Sequence, residues 1–145
     1  MIMKKILLAE DDPNDVELIL AALADHKLAN EVVVARDGAE ALDYLYRRGQ
    51  FAKRPASQPM VVLLDLKMPK VDGLEVLRQV KSDPDLKTIP IVILTSSREE
   101  QDIIESYNLG TNAYIVKPVE FDKFIMAIKQ LGLFWVLINE VSYKL

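Results

Sequence analysis

Cysteine is absent from the 145 residues of the chain, which excludes disulfides and thiolate metal sites and fits a reducing, cytoplasmic setting. Glycine is scarce, with five residues, and none forms a glycine-rich phosphate loop, so a nucleotide-binding reading has no support. Lysine and arginine number 18 against 22 aspartates and glutamates, a formal net charge of −4. Arg47-Arg48 and Lys53-Arg54 are scattered rather than aligned in a basic stripe, which argues against a DNA or RNA surface. No apolar run approaches the roughly 18 residues of a membrane span, so no membrane role is expected. The apolar amino-terminal stretch is short and runs directly into Glu10-Asp11-Asp12, which reads as a strand and not as a signal peptide. What remains is one compact soluble domain, half of its residues hydrophobic.

The sequence is organised around Met60 to Gly73, where the unbroken apolar run Val61 to Leu64 ends in Asp65. A run without alternation predicts a strand buried on both faces, the central strand of a parallel sheet. Around it, short apolar runs alternate with helical periodicity, the pattern of a doubly wound sheet. Ile6 to Ala9 is the first strand, followed by a helix capped by Asp12 with Pro13 in its first turn and Val16, Leu18, Ile19, Leu20 and Leu23 as its apolar face. Glu31 to Ala35 is the second strand, and Asp37-Gly38 opens a helix through Tyr46. Arg47 to Pro59 is a long surface loop. Asp72-Gly73 starts another helix, with Val76, Leu77 and Val80 facing the sheet. Ile89 to Leu94 is the fourth strand, and Ser97 to Glu100 forms a capping box for the next helix. Ala113 to Val116 is the fifth strand, and a last helix begins near Phe121.

In open parallel sheets the ligand crevice lies beyond the carboxyl ends of the strands. Glu10-Asp11, Asp65, Thr95 and Lys117 all follow strand ends and are expected to converge there. Crowded carboxylates demand a cation, and an all-oxygen site suits Mg²⁺. A phosphoryl group on Asp65 would be neutralised by that metal and by Lys117, with the Thr95 hydroxyl donating to a phosphoryl oxygen. Each residue also has a plain alternative: a turn aspartate, a helix cap, a solvated lysine.

Taken together, Ile6-Leu7-Leu8-Ala9-Glu10-Asp11-Asp12, Leu64-Asp65-Leu66-Lys67-Met68-Pro69, Asp72-Gly73, Leu94-Thr95-Ser96 and Tyr114-Ile115-Val116-Lys117-Pro118 resemble the response-regulator receiver domain of two-component signalling. The resemblance covers the chain up to about residue 130 and implies a flavodoxin-like (βα)5 fold, a parallel five-stranded sheet of order 2-1-3-4-5. It also implies that Asp65 accepts a phosphoryl group from a sensor histidine kinase. Asp11 and Asp65 would bind Mg²⁺ directly, Glu10 largely through water, and Lys67 through its backbone carbonyl; the Lys117-Pro118 peptide would be cis. Thr95 and Tyr114 would act as the switch pair, with Ser96 small enough to admit the phosphoryl group and Lys67 and Ser97 flanking the route of attacking water. A narrower likeness, carried by Asp11 to Ile19, the loop before the third strand and Phe134-Trp135, is to the stand-alone regulators of cyanobacterial phytochromes.

A haloacid-dehalogenase-type phosphatase is the main rival, but it needs an acid two residues after its nucleophile, where this chain has Lys67. A non-phosphorylated receiver is the other, and it would be expected to lack part of the acidic pocket. His26, between Asp25 and Lys27, reads as a solvated histidine. The division expected is a receiver over 1–131, not itself an enzyme, and an extension over 132–145. Phe121, Phe124, Ile125, Ile128 and Leu131 face the sheet, whereas Leu133-Phe134-Trp135-Val136-Leu137-Ile138 is apolar on every side and is expected to build a homodimer.

Overall fold

The computed structural model describes residues 5–24, 31–106, 108–109, 112–134 and 137. Five strands, β1 (Ile6–Ala9), β2 (Val32–Ala35), β3 (Val61–Asp65), β4 (Ile91–Thr95) and β5 (Ala113–Val116), alternate with five helices, α1 (Pro13–Ala24), α2 (Gly38–Tyr46), α3 (Gly73–Ser82), α4 (Arg98–Ser106) and α5 (Phe121–Gln130). The sheet is parallel throughout, in the order β2-β1-β3-β4-β5. Every residue of β1, β3 and β4 is buried, which explains why these strands read as continuous apolar runs.

Alternate strand residues feed two hydrophobic layers. Leu7, Leu64 and Ile93 pack with Leu42 and Leu45 of α2 and Val76 and Leu77 of α3. Leu8, Leu63 and Leu94 pack on the other face with Val16 and Ile19 of α1 and Phe124 and Ile128 of α5. Helix starts follow the expected chemistry. Asp12 Oδ1 accepts from the Asn14 N–H at 2.8 Å, Asp37 Oδ1 from the Glu40 N–H at 2.7 Å, and Asp72 Oδ1 from the Glu75 N–H at 2.9 Å.

Several boundaries and roles differ from the sequence reading. Leu18, expected on the apolar face of α1, is 58% exposed; it sits beside that face, and Val16, Ile19 and Leu23 fill the core without it. Strand β4 begins at Ile91 because Pro90 has no N–H for the ladder, although its carbonyl still accepts from the Val62 N–H at 3.0 Å. Strand β2 begins after Glu31, whose carboxylate pairs with Lys5 at 3.3 Å. Arg54 is no scattered surface cation. Its guanidinium lies 4.2 Å over the Tyr44 ring and donates to the carbonyls of Tyr44, Leu45, Pro55 and Ser57, tying the 47–59 loop to α2.

Helix α5 closes on Gly132, which adopts φ 74°, with the Gly132 N–H donating to Lys129 O and the Leu133 N–H to Ile128 O, both at 3.0 Å. This left-handed cap turns the chain back. Leu137 is consequently buried at 3% exposure in the α1/α5 layer, and Leu133 packs against it. Part of the apolar extension therefore covers its own domain. His26, Trp135 and residues 136 and 138–145 lie outside the described residues.

Candidate functional site

Parallel register brings the strand ends together. Asp65 is paired with Leu94 and Thr95 with Val116, so the last residues of β3 and β4 and the first residue after β5 share one rim. Glu10 follows β1, where its N–H donates to Ala35 O at 3.0 Å. Glu10, Asp11 and Asp65 each offer an oxygen within 4.8 Å of the others. Glu10 and Asp65 are buried and Asp11 is exposed, so the cluster opens to solvent on the Asp11 side.

Lys117 supplies the nearby positive charge. Its Nζ lies 2.7 Å from Glu10 Oε1, 3.0 Å from Asp15 Oδ2 and 3.3 Å from Asp65 Oδ2. Burial alone would weaken the ammonium, but Glu10, Asp15 and Asp65 together hold it above the ordinary lysine range. Burial, reinforced by Asp65, pushes the Glu10 carboxyl up to about 7 against the pull of Lys117. One cation thus faces more carboxylate than it can neutralise, and the donor set of three carboxylates open on one side fits a hard divalent cation that keeps some of its waters.

Thr95 completes the crevice. It is fully buried, and its Oγ1 has no hydrogen-bond partner among the described residues. A buried hydroxyl without a partner is costly, and an incoming anionic oxygen would satisfy it. The Thr95 carbonyl accepts from the Lys117 N–H at 2.8 Å, and the Lys117-Pro118 peptide is cis. Gly73 closes the floor. A Cβ there would collide with the Asp65 carbonyl and come within 2.6 Å of Leu66 Cα, so the start of α3 can approach Asp65 this closely only as glycine.

The sequence-expected residues Glu10, Asp11, Asp65, Thr95 and Lys117 therefore meet in one place. Tyr114 does not. It is half-buried on β5, separated from Lys117 by Ile115 and Val116, beside a cleft of about 640 Å³ lined by Arg98, Gln101, Glu105, Lys123 and Met126. Lys67 turns its side chain outward, with Nζ 3.9 Å from Glu100 Oε2. Asp15 is a site residue that sequence reasoning passed over as part of a helix start. The signal was present, because the first turn of the helix after β1 lies at the same sheet edge as Glu10.

Known proteins resemble this chain in sequence and fold. The response regulator Rcp1 of Synechocystis is 38% identical over 133 residues, 92% of this chain and 89% of that protein. Its Mn²⁺-bound crystal structure superposes with a TM-score of 0.71 at 39% identity, covering 91% of this chain and 94% of Rcp1. The bacteriophytochrome response regulator AtBRR is more similar still, 61% identical with a TM-score of 0.89 over 93% of this chain and 96% of its own. Residues 6–129 match the family model of the response regulator receiver domain, and the chain belongs to that family.

Proposed function

We propose that Asp65 is the phosphoacceptor of a Mg²⁺-dependent phosphorelay, receiving its phosphoryl group from a sensor histidine kinase of the phytochrome class. The observation that carries this is the pairing of an excess of carboxylate around Lys117 with the partnerless buried hydroxyl of Thr95. In the transfer, an Asp65 carboxylate oxygen attacks phosphorus, the P–N bond to the kinase histidine breaks, and its electron pair returns to the imidazole. Lys117 compensates the charge brought to Asp65, and Thr95 Oγ1 donates to a phosphoryl oxygen. Glu10, Asp11, Asp65 and the Lys67 carbonyl would hold the Mg²⁺. When bound, the ion offsets the negative charge of the phosphoryl oxygens.

The names of the similar proteins, among them AtBRR and a phosphorylated cyanobacterial phytochrome response regulator at 46% identity, support the choice of kinase class. A phosphatase of the haloacid-dehalogenase type is disfavoured because Lys67 stands where the second acid belongs and points away from Asp65 toward Glu100. The output is a switch through protein contacts rather than catalysis. Thr95 moves toward the phosphoryl group and Tyr114 turns inward from its half-buried position. No helix among the described residues is long and apolar enough to cross a membrane, in keeping with action in the cytoplasm.

Incubation with a phytochrome kinase or a small phosphodonor should label the protein in Mg²⁺, and chelation should stop it. Asp65→Asn should abolish the label; an Asp65→Asn protein labelled as fully as the wild type would refute the assignment. The extension over 132–145, together with α5, is proposed to form a homodimer, supported by the exposed Met126 on α5. Sedimentation should show a dimer at micromolar concentration that is lost both in Met126→Glu and in a chain ending near Gln130. A monomeric full-length protein defeats it.

A further inference from the structure

The capping box expected at Ser97 is half formed. Ser97 Oγ accepts from the Glu100 N–H at 3.2 Å, but the Glu100 carboxylate does not return to the Ser97 backbone as the box requires. Its Oε2 instead accepts from Ser96 Oγ at 2.6 Å and lies 3.9 Å from Lys67 Nζ. Ser96 directly follows Thr95, and Lys67 is two residues beyond Asp65, on the loops that leave the adjacent strands β4 and β3. A single carboxylate on the first turn of α4 therefore spans the two loops that flank the crevice. The Lys67 end is loose, its side chain 80% exposed, and an ion pair in that setting is weak. The Ser96 end is short and charge-assisted, and it fixes the position of Glu100.

We propose that Glu100 is a positioning residue that holds the mouth of the phosphorylation crevice closed through Ser96 and Lys67, and thereby limits both loss of the phosphoryl group and entry of anionic phosphodonors. This rests on Asp65 being the phosphoacceptor. In the loss reaction a water oxygen attacks phosphorus, the bond between phosphorus and the Asp65 oxygen breaks, and its electron pair stays on the regenerated carboxylate. Hydrogenphosphate leaves, and one water proton passes to solvent. Besides the open Asp11 side, the gap between the loops that Glu100 bridges is a second way in for that water. The same carboxylate also places a negative charge at the mouth, which repels an anionic donor.

The two contributions separate by substitution. Glu100→Gln keeps an acceptor for Ser96 and removes the charge, whereas Glu100→Ala removes both. With acetyl phosphate as donor and Mg²⁺ present, both variants should lower the KM by about twofold through the lost repulsion. Glu100→Ala should shorten the acyl-phosphate half-life by about threefold, the scale of one net hydrogen bond, and Glu100→Gln, which keeps the Ser96 bond and loses only the loose, exposed Lys67 pair, should leave it within the error of the wild type. Ser96→Ala breaks the same bond from its other end and should match Glu100→Ala, with no further shortening in the double variant. A wild-type half-life in Glu100→Ala, or additive shortening in the double variant, overturns the proposal. Wild-type protein that takes no label from acetyl phosphate overturns the Asp65 assignment and this inference together. Wild-type protein that labels with unaltered kinetics in every variant overturns this inference alone.

Discussion

Arg54 and Lys117 each stand at the centre of a cluster of oxygens. Around Arg54 the partners are neutral: the carbonyls of Tyr44 at 2.6 Å, Pro55 at 2.8 Å and Ser57 at 3.0 Å, and the Gln58 amide oxygen at 3.0 Å. The five donors of the planar fork are filled, the Tyr44 ring covers one face, and no donor is left over to hold a ligand. Around Lys117 the partners are Glu10, Asp15 and Asp65, with Asp11 close by, and a hydroxyl at the same rim stays without a partner. A cation whose neighbours saturate it fastens a loop; a cation outnumbered by carboxylates beside an unsatisfied donor marks a place built to receive something more.

The contrast breaks most visibly at Lys117. Lys117→Ala should lower the rate of phosphoryl transfer by about a hundredfold, the scale of removing one preorganised electrostatic contact, as followed by label incorporation over time. Arg54→Ala should do the reverse. It should lower unfolding free energy by about 2 kcal/mol through the loss of charged-donor hydrogen bonds, read from the denaturant midpoint, while labelling proceeds at the wild-type rate. Slower labelling with unchanged stability would show that the loop acts on the site. The smallest effect belongs to the neighbouring Arg48, which pairs with Asp43 at 2.7 Å and lies 4.9 Å over the Tyr46 ring, but on the solvent side. Arg48→Ala should change stability by less than about 0.5 kcal/mol, and a larger loss would mean that the loop depends on more than Arg54.

Strand identity and the convergence of Glu10, Asp11, Asp65, Thr95 and Lys117 were legible because both follow from local pattern. An apolar run of four or five residues fixes a buried strand, and parallel connectivity sends every strand's carboxyl end to one side. Asp15 and Arg54 were not legible in this way. Asp15 lies inside the first turn of α1 and not at a strand end, so the strand-end rule passed over it, and Arg54 is defined by main-chain carbonyls, which carry no residue signature. Leu18 illustrates another limit, since a leucine flanking the apolar stripe of α1 satisfies the helical pattern whether it faces the core or, as here, solvent. The extension past Gly132 shows a third. Its uniform apolarity could not reveal that the Gly132 cap returns Leu137 to the core of its own domain.

The strand order also sets a schedule for assembly. The three carboxylates come from β1 and β3, which pair directly as Ile6 with Val61, but the ammonium that holds two of them arrives with β5, the last strand of the chain. Until β5 docks, the nascent sheet carries concentrated negative charge at one end with no internal counterion. If β5 docks last, dissolved cations stand in for Lys117 until it arrives, and both salt and Mg²⁺ should quicken refolding of the wild type.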